Sequence, residues 1–224
     1  MLPLPQAVLF DLDGTLADTA PDLAYALNQT LRHYGRPELA LEQIRPVVSH
    51  GGIALIKLGF GMQPEETGFE ERRQHLLDFY LNNLCRETRL FEGIAEVLAY
   101  LEQNAIPWGI VTNKPGWLTD PLMVQMGLHT RTRAIVSGDT CRNRKPHPEP
   151  IEHACRLLGV SARQCWYVGD AGRDMQAGRA AGCNTIGATF GYIHAEDPIE
   201  NWDSDTNIDH PLQLIDLLAA TRDA

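Results

Sequence analysis

The first apolar run of the chain ends on two carboxylates. Ala7–Phe10 reads as a buried strand, and "DLDGT" follows it at once. Side chains alternate along a strand, so Asp11 and Asp13 would point the same way if the strand continued, and each would disfavour the charge on the other. An Asp carboxylate can act as a nucleophile, and a carboxyl beside it can exchange protons. We therefore expect Asp11 to attack and Asp13 to serve as general acid and base, with Gly14 allowing the tight turn after them.

Polar residues also follow three later apolar runs. Trp108–Val111, Ala134–Val136 and Cys165–Val168 each read as a strand. The carboxyl ends of the strands in an open parallel sheet meet at one crevice, so residues that are far apart in sequence come together there. The further residues that we expect at this crevice are Thr112, Asn113, Lys145, Asp170 and Asp174.

The charges of this set favour a divalent cation. Four aspartates and a single lysine would repel an anionic substrate unless a metal were bound. Oxygen ligands of this kind suit Mg²⁺, which proteins commonly hold through one or two carboxylates and a substrate phosphate oxygen. The sequence therefore predicts a Mg²⁺ site formed by Asp11, Asp13 and Asp170, to which Asp13 could also turn its main-chain carbonyl.

The remaining members of the set suit a phosphoryl group. The Thr112 hydroxyl, the Asn113 amide and the Lys145 ammonium are donors for phosphate oxygens. Asp174 has a supporting role in this interpretation: it orients the metal ligands and also caps the helix that follows it. The crevice is thus predicted to transfer or release phosphate.

The elements that must position these residues form an α/β pattern. From Phe91 onward, helical stretches alternate with apolar runs, which indicates a mostly parallel sheet covered on both faces. Residues 18–88 read instead as helices, with Thr19 or Asp18 capping the first. We predict a Rossmann-like parallel-sheet core, residues 1–17 and 89–224, with a small all-helical cap domain, residues 18–88, inserted after the first strand.

Composition excludes several other classes of protein. The formal net charge is −10, which argues against nucleic acid as a main partner because no basic stripe could offset phosphate repulsion. The five cysteines form no C-x-x-C pair, and the eight histidines form no zinc-ligand pattern. No apolar run is nearly long enough for a membrane-spanning helix, and the first residues do not read as a signal peptide. We expect a cytoplasmic protein, monomeric or homodimeric, whose partner is a small phosphorylated metabolite.

The four motifs together resemble those of the haloacid dehalogenase superfamily, in order and across nearly the whole chain. They are "DLDGT" from Asp11, "VTN" from Val111, Lys145 with Pro146, and "GD" followed by Asp174. The second Asp of "DLD" is the pattern of the phosphatases and phosphomutases. The resemblance implies a Mg²⁺-dependent phosphomonoester hydrolase that works through an aspartyl phosphate, with a mobile cap over the site.

More narrowly, "GDT…KPHPEP" and "LFEGIAEVLAYL" look like the phosphoglycolate phosphatase branch, which includes phosphatases of sugar phosphates such as N-acetylmuramic acid 6-phosphate. Ala171 departs from the Ser of many relatives and keeps a small residue after "GD". The cap loop Val48–Gly52, "VSHGG", departs from the loop associated with phosphoglycolate, so the substrate stays open between 2-phosphoglycolate and a sugar phosphate. Ser49 and His50 of this loop are the candidate substrate contacts.

Two other functions use the same residues. A sugar phosphomutase would return the phosphoryl group to its substrate instead of to water, and product analysis separates the two. A non-catalytic metabolite-binding protein is the third possibility, which the complete motif set disfavours.

Overall fold

The computed structural model describes residues 2–222, so residues 1, 223 and 224 of the predicted core lie outside the described residues. The strands of this part are β1 (Ala7–Phe10), β2 (Ala17–Asp18), β3 (Arg89–Leu90), β4 (Trp108–Val111), β5 (Ile135–Val136), β6 (Cys165–Gly169), β7 (Asn184–Ala188) and β8 (Thr206–Ile208). The helices are α1 (Ala20–His33), α2 (Leu41–Ile44), α3 (Gly51–Phe60), α4 (Phe69–Leu81), α5 (Ile94–Gln103), α6 (Gly116–Gln125), α7 (Glu149–Leu158), α8 (Gly172–Ala181) and α9 (Gln213–Arg222), with 3₁₀ turns at Arg45–His50, Ala162–Gln164 and Ile199–Asn201.

Six parallel strands form the central sheet, in the order β5-β4-β1-β6-β7-β8. The chain moves outward from β1 through β4 to β5 and then continues on the other side of β1 with β6. The strand order therefore reverses beside β1, which is where the carboxyl ends of parallel strands leave a crevice. The predicted α/β fold is confirmed, and β8 adds an edge strand that the sequence pattern did not indicate.

Alternation along β1 divides the core between the two faces of the sheet. Val8 and Phe10 are fully buried in the cluster that extends to α5 and into the helices between β2 and β3. Ala7 and Leu9 are equally buried on the opposite face, in the cluster that contains side chains of α7 and α8. Burial on both faces explains why β1 is a continuous apolar run rather than an alternating one.

The four helices α1–α4 lie between two short strands that pair with each other. β2 and β3 are antiparallel, with Ala17 opposite Leu90 and Asp18 opposite Arg89. Leu27 and Leu31 of α1 and Leu76 of α4 are buried where these helices pack. The predicted division at residues 18 and 88 remains a prediction, and this two-stranded pair lies at both of its ends.

The predicted cap of α1 is wrong in its detail. Thr19 occupies the N-cap position, but its side chain makes no capping hydrogen bond. Its hydroxyl donates to Asp13 Oδ1 at 2.6 Å, and Asp18 accepts two hydrogen bonds from the Arg45 guanidinium, both at 2.9 Å. The Thr19 hydroxyl therefore joins the start of α1 to the segment after β1, whereas the Asp18 contact with Arg45 lies within residues 18–88. No helix within residues 2–222 is long and apolar enough to cross a membrane.

Candidate active site

Lys145 is the centre of the predicted crevice. Its side chain is completely buried, and its Nζ lies 2.8 Å from Asp11 Oδ1 and 2.7 Å from Asp174 Oδ1. The ammonium also donates to the Val111 carbonyl and to the Tyr167 hydroxyl, each at 2.8 Å. A buried charge is tolerated only when it is paired and hydrogen-bonded. The parallel sheet thus brings Asp11 and Lys145 together across 134 positions of sequence.

Asn113 holds the main chain of this lysine. Its Nδ2 donates to the Lys145 carbonyl at 2.9 Å, and its Oδ1 accepts from the Lys145 N–H at 3.0 Å. Thr112 is buried at the end of β4, and its hydroxyl accepts from the Lys114 N–H at 3.1 Å. Asn113 therefore positions Lys145 in this structure, and phosphate binding by Thr112 and Asn113 stays a prediction.

Three carboxylates form a cluster beside Lys145. One oxygen from each of Asp11, Asp170 and Asp174 lies within 4.8 Å of the others, and all three residues are buried. Among the described residues, Asp174 Oδ2 is buried without a hydrogen-bond partner, whereas its Oδ1 accepts from Tyr167 and pairs with Lys145. Buried polar atoms are normally satisfied, and unpaired carboxylate oxygens are the ligands that Mg²⁺ prefers. These residues fit the predicted ion.

The predicted roles of Asp13 and Asp174 need adjustment. The Asp13 side chain is not part of the acidic cluster, and its main-chain carbonyl lies 3.4 Å from the Ser49 hydroxyl, which also donates to Asp170 Oδ2 at 2.9 Å. The carbonyl, rather than the carboxylate, therefore lies near the cluster. Asp174 does not cap α8, because Ala171 occupies the N-cap position and the Asp174 side chain pairs with Lys145.

Burial changes the ionisation of two members of the cluster. It raises the pKa of Asp11 to about 6, although Lys145 acts in the opposite direction and Asp174 adds to the rise. It raises the pKa of Asp170 to about 7, with the negative charges of Asp11 and Asp174 adding to the effect. Carboxyl groups whose pKa values lie this far above the usual range for aspartate indicate a site where a bound cation is needed to favour the charged forms.

Asp13 has its own cation. Lys114 Nζ lies 2.8 Å from Asp13 Oδ1, and the Thr19 hydroxyl donates to the same oxygen. Lys114 also donates to the hydroxyl of Tyr80, a residue of α4, at 2.8 Å. Its side chain is only 6% exposed, so this pairing is far less screened than a surface ion pair.

Arg173 is the third cation of the site. It is partly buried at the start of α8 and donates to the Ser49 carbonyl at 2.9 Å. Burial opposes its charge, but the carboxylates of Asp174, Asp11 and Asp170 outweigh that cost and raise its pKa. When these side chains are ionised, Lys114 and Arg173 join Lys145 in facing the carboxylates of Asp11, Asp13, Asp170 and Asp174. The site is closer to neutral than the sequence suggested.

Ser49 and His50 both lie at this site. The predicted loop Val48–Gly52 is instead the end of the 3₁₀ turn Arg45–His50 and the start of α3, and the Ser49 contacts with Asp170 and Arg173 connect that turn directly to the acidic cluster. The His50 ring packs edge-on against His194 with 4.8 Å between ring centres, and burial together with the charges of Arg173 and His194 lowers its pKa. His50 is therefore a neutral wall of the cavity at neutral pH. Their contact with substrate stays a prediction.

A cavity of about 750 Å³ opens over these residues, within the range of small-molecule sites. Asp11, Asp13 and Thr112 line it, together with residues of helices α3, α4 and α6. Trp117, the second residue of α6, lines it with 43% of its surface exposed. A second cavity, of about 470 Å³, lies near Trp108 at the beginning of β4 and so away from the carboxyl ends of the strands.

Lys114 and Arg173 are site residues that were not predicted from the sequence. Each lies next to a residue that was assigned, Lys114 after Asn113 in "VTNK" and Arg173 before Asp174 in "GDAGRD". A basic residue beside an acidic motif was the available signal. The sequence contains no comparable signal for Tyr80, because its place at the site depends on how α4 packs.

Comparisons with known proteins agree with this geometry. Residues 8–188 match the family described as haloacid dehalogenase-like hydrolase. The chain is 43% identical to an N-acetylmuramic acid 6-phosphate phosphatase of Pseudomonas putida, over 93% of this chain and 94% of that one. It is 41% identical to a phosphoglycolate phosphatase of Xanthomonas campestris, over 94% and 95% of the two chains. The crystal structure of a predicted phosphoglycolate phosphatase from Haemophilus somnus superposes with a TM-score of 0.85 at 26% identity, covering 97% of this chain and 99% of that one.

Proposed function

Because the chain belongs to the haloacid dehalogenase-like hydrolase family and is a phosphatase of that family, we propose that it hydrolyses phosphate monoesters with Mg²⁺ through an aspartyl phosphate on Asp11. The observation that carries this proposal is the meeting of Asp11, which lines the cavity, with Lys145 beside the acidic cluster. We also propose that residues 18–88 act as a cap over this cavity.

Asp11 is suited to attack phosphorus. Lys145 holds the carboxylate at 2.8 Å, and the Leu12 N–H donates to Asp11 Oδ1 at 2.7 Å, so the side chain is fixed before a substrate arrives. Asp11, Asp170, Asp174 and the Asp13 carbonyl would hold Mg²⁺, which when bound supplies positive charge for the phosphoryl oxygens. Lys145 and Arg173 add fixed positive charge next to the same group.

Asp13 exchanges the proton in both half-reactions. In the first, the Asp11 oxygen bonds to phosphorus as the ester P–O bond breaks, and Asp13 gives its proton to the departing alcohol oxygen. In the second, Asp13 takes a proton from the water that attacks phosphorus, and the Asp11–phosphorus bond breaks to release inorganic phosphate. After each turnover Asp13 again carries a proton and Asp11 is again a free carboxylate.

For the substrate we propose an amino-sugar phosphate, with N-acetylmuramic acid 6-phosphate as the first candidate. The cavity is roomy for the two-carbon acid 2-phosphoglycolate, and the exposed Trp117 indole offers an apolar face on which a sugar ring can rest. Relatives with 43% and 41% identity carry the name N-acetylmuramic acid 6-phosphate phosphatase. Relatives at 41% identity named phosphoglycolate phosphatase make 2-phosphoglycolate the comparator.

A phosphate-release screen tests both parts of the proposal. The ratio of kcat/KM values measures discrimination between two substrates. We expect kcat/KM for N-acetylmuramic acid 6-phosphate to exceed that for 2-phosphoglycolate by about tenfold or more. Trp117→Ala should lower kcat/KM for the sugar phosphate by about 10-fold and leave 2-phosphoglycolate nearly unchanged. Val124→Ala is the matched control, because Val124 is 55% exposed on the same helix and does not line the cavity. A preference for 2-phosphoglycolate would overturn the substrate assignment.

Product analysis separates hydrolysis from phosphomutase activity. The proposal requires one inorganic phosphate for each substrate consumed. Isomerised sugar phosphate without free phosphate would contradict it and favour the mutase. No turnover of any phosphate ester in the presence of Mg²⁺ would contradict the proposed reaction itself.

A further inference from the structure

Lys114 is a buried cation beside Asp13 that has no role in the reaction proposed above. Its Nζ lies 2.8 Å from Asp13 Oδ1, donates to the Tyr80 hydroxyl at 2.8 Å and lies 4.5 Å from the centre of the Tyr80 ring. The Asp13 side chain is 14% exposed, so both members of the ion pair are largely removed from water. A buried pair of this kind fixes the geometry of both side chains more than it adds stability.

The second partner of the Lys114 ammonium, besides Asp13, belongs to helices α1–α4 of the proposed cap. Tyr80 lies in α4 and is completely buried. Burial, with the negative charges of Asp13 and Asp22 adding to it, raises the pKa of Tyr80 well above its usual value, so the phenol stays neutral and its oxygen accepts from the ammonium. The contact between Lys114 and Tyr80 therefore joins the end of β4 to the cap.

The two donors to Asp13 reach the same oxygen. Lys114 and the Thr19 hydroxyl both contact Oδ1, the latter at 2.6 Å. A carboxyl group whose Oδ1 is held by two donors cannot rotate freely about its Cβ–Cγ bond. Oδ2 is then the oxygen that carries the exchanged proton, and its direction is set by Lys114 and Thr19.

We propose that Lys114 is a positioning residue that aims Oδ2 of Asp13 at the leaving oxygen, and that Tyr80 holds Lys114 in place from the cap. This inference rests on the proposed function. Lys114 keeps its own proton throughout, while the Asp13 proton passes to the alcohol oxygen as the ester bond breaks and is regained from the attacking water. The ammonium also stabilises the carboxylate that Asp13 becomes after donation.

Leaving-group dependence tests this role. An alkyl phosphate releases a strongly basic alkoxide and needs the proton, whereas p-nitrophenyl phosphate releases a stable phenolate and does not. We expect Lys114→Met to lower kcat/KM for a sugar phosphate by about 100-fold but that for p-nitrophenyl phosphate by less than about threefold. Tyr80→Phe keeps the ring and removes only the hydroxyl, so we expect a selective loss in the same direction of about 10-fold.

Lys57→Met is the matched control, because Lys57 is exposed on α3 and both rates should stay unchanged. Equal losses for the two esters in Lys114→Met would overturn the inference, because a structural or phosphate-binding role acts on both alike. If that variant does not fold, Tyr80→Phe decides: an unchanged ratio between the two esters overturns the proposal, and a selective loss supports it. Failure of the wild-type protein to release phosphate from either ester would instead refute the proposed function.

Discussion

Gly14→Ala is the substitution whose consequence the structure defines most sharply. Gly14 has φ +88°, in the left-handed region that residues with a Cβ rarely adopt. A Cβ added there would lie 2.0 Å from Asp170 Oδ2 and 2.9 Å from a ring carbon of Tyr192. The Asp170 carboxylate cannot simply turn aside, because the Tyr192 N–H and the Ser49 hydroxyl both donate to Oδ2 at 2.9 Å.

Two costs add in this variant. The left-handed conformation costs about 1–2 kcal/mol, and overpacking a buried site costs about 1–3 kcal/mol, so we expect the free energy of unfolding to fall by about 2–5 kcal/mol. Because the displaced carboxylate belongs to the acidic cluster, Mg²⁺ affinity measured by titration calorimetry should fall by about 10–100-fold, as for loss of groups that orient metal ligands.

Gly35→Ala separates the two costs. Gly35 has φ +66°, and no atom of residues 2–222 lies within 4 Å of the Cβ that would be added. This control should lose only the backbone term of about 1–2 kcal/mol and keep wild-type metal affinity and kcat/KM. If Gly14→Ala were no less stable than Gly35→Ala in denaturant unfolding and bound Mg²⁺ as the wild type does, the placement of Asp170 against Gly14 would be wrong.

Two further predictions concern the contacts of Asp22 with Glu87 and Thr88 and the dependence of stability on pH. The buried Asp22 carboxylate accepts hydrogen bonds from the Thr88 N–H at 2.9 Å, the Thr88 hydroxyl at 2.8 Å and the Glu87 N–H at 3.1 Å. Asp22→Ala should therefore lower the free energy of unfolding, measured by urea titration, by about 2–5 kcal/mol. A loss below about 1 kcal/mol would contradict this prediction. The raised pKa values of Asp11 and Asp170 mean that the metal-free folded protein binds more protons than the unfolded chain between pH about 4 and about 7, so its stability should fall as pH rises through that range. Added Mg²⁺ competes with those protons and should raise the Tm more at pH about 8 than at pH about 5; an equal increase at both would contradict the assignment.

The sequence predicts correctly which residues lie at the carboxyl ends of the central strands. Asp11, Lys145 and Asp170 come together because the parallel sheet places the ends of β1 and β6 and the segment before α7 at one edge. Apolar runs of four or five residues mark the central strands. β8 was missed because its three residues, "TNI", contain a single apolar side chain and lie at the edge of the sheet.

What could not be predicted depends on how the helical segment packs. Thr19 precedes a helix, and local preference favours a capping hydrogen bond, but its hydroxyl donates to Asp13 instead. The contact of Tyr80 with Lys114 and that of Ser49 with Asp170 join residues separated by 34 and 121 positions. No periodicity or local propensity encodes such contacts, since they arise only when the two parts of the chain meet.

The proposed aspartyl phosphate is the central claim, and trapping it is the most direct test. The protein would be mixed with substrate and Mg²⁺, quenched rapidly in acid and digested, and its peptides examined by mass spectrometry. We predict a phosphoryl group on Asp11 that hydroxylamine removes, as it does from an acyl phosphate, and none in Asp11→Asn, which should also release no inorganic phosphate. Full turnover by Asp11→Asn, or a phosphoryl group on another residue, would contradict the account.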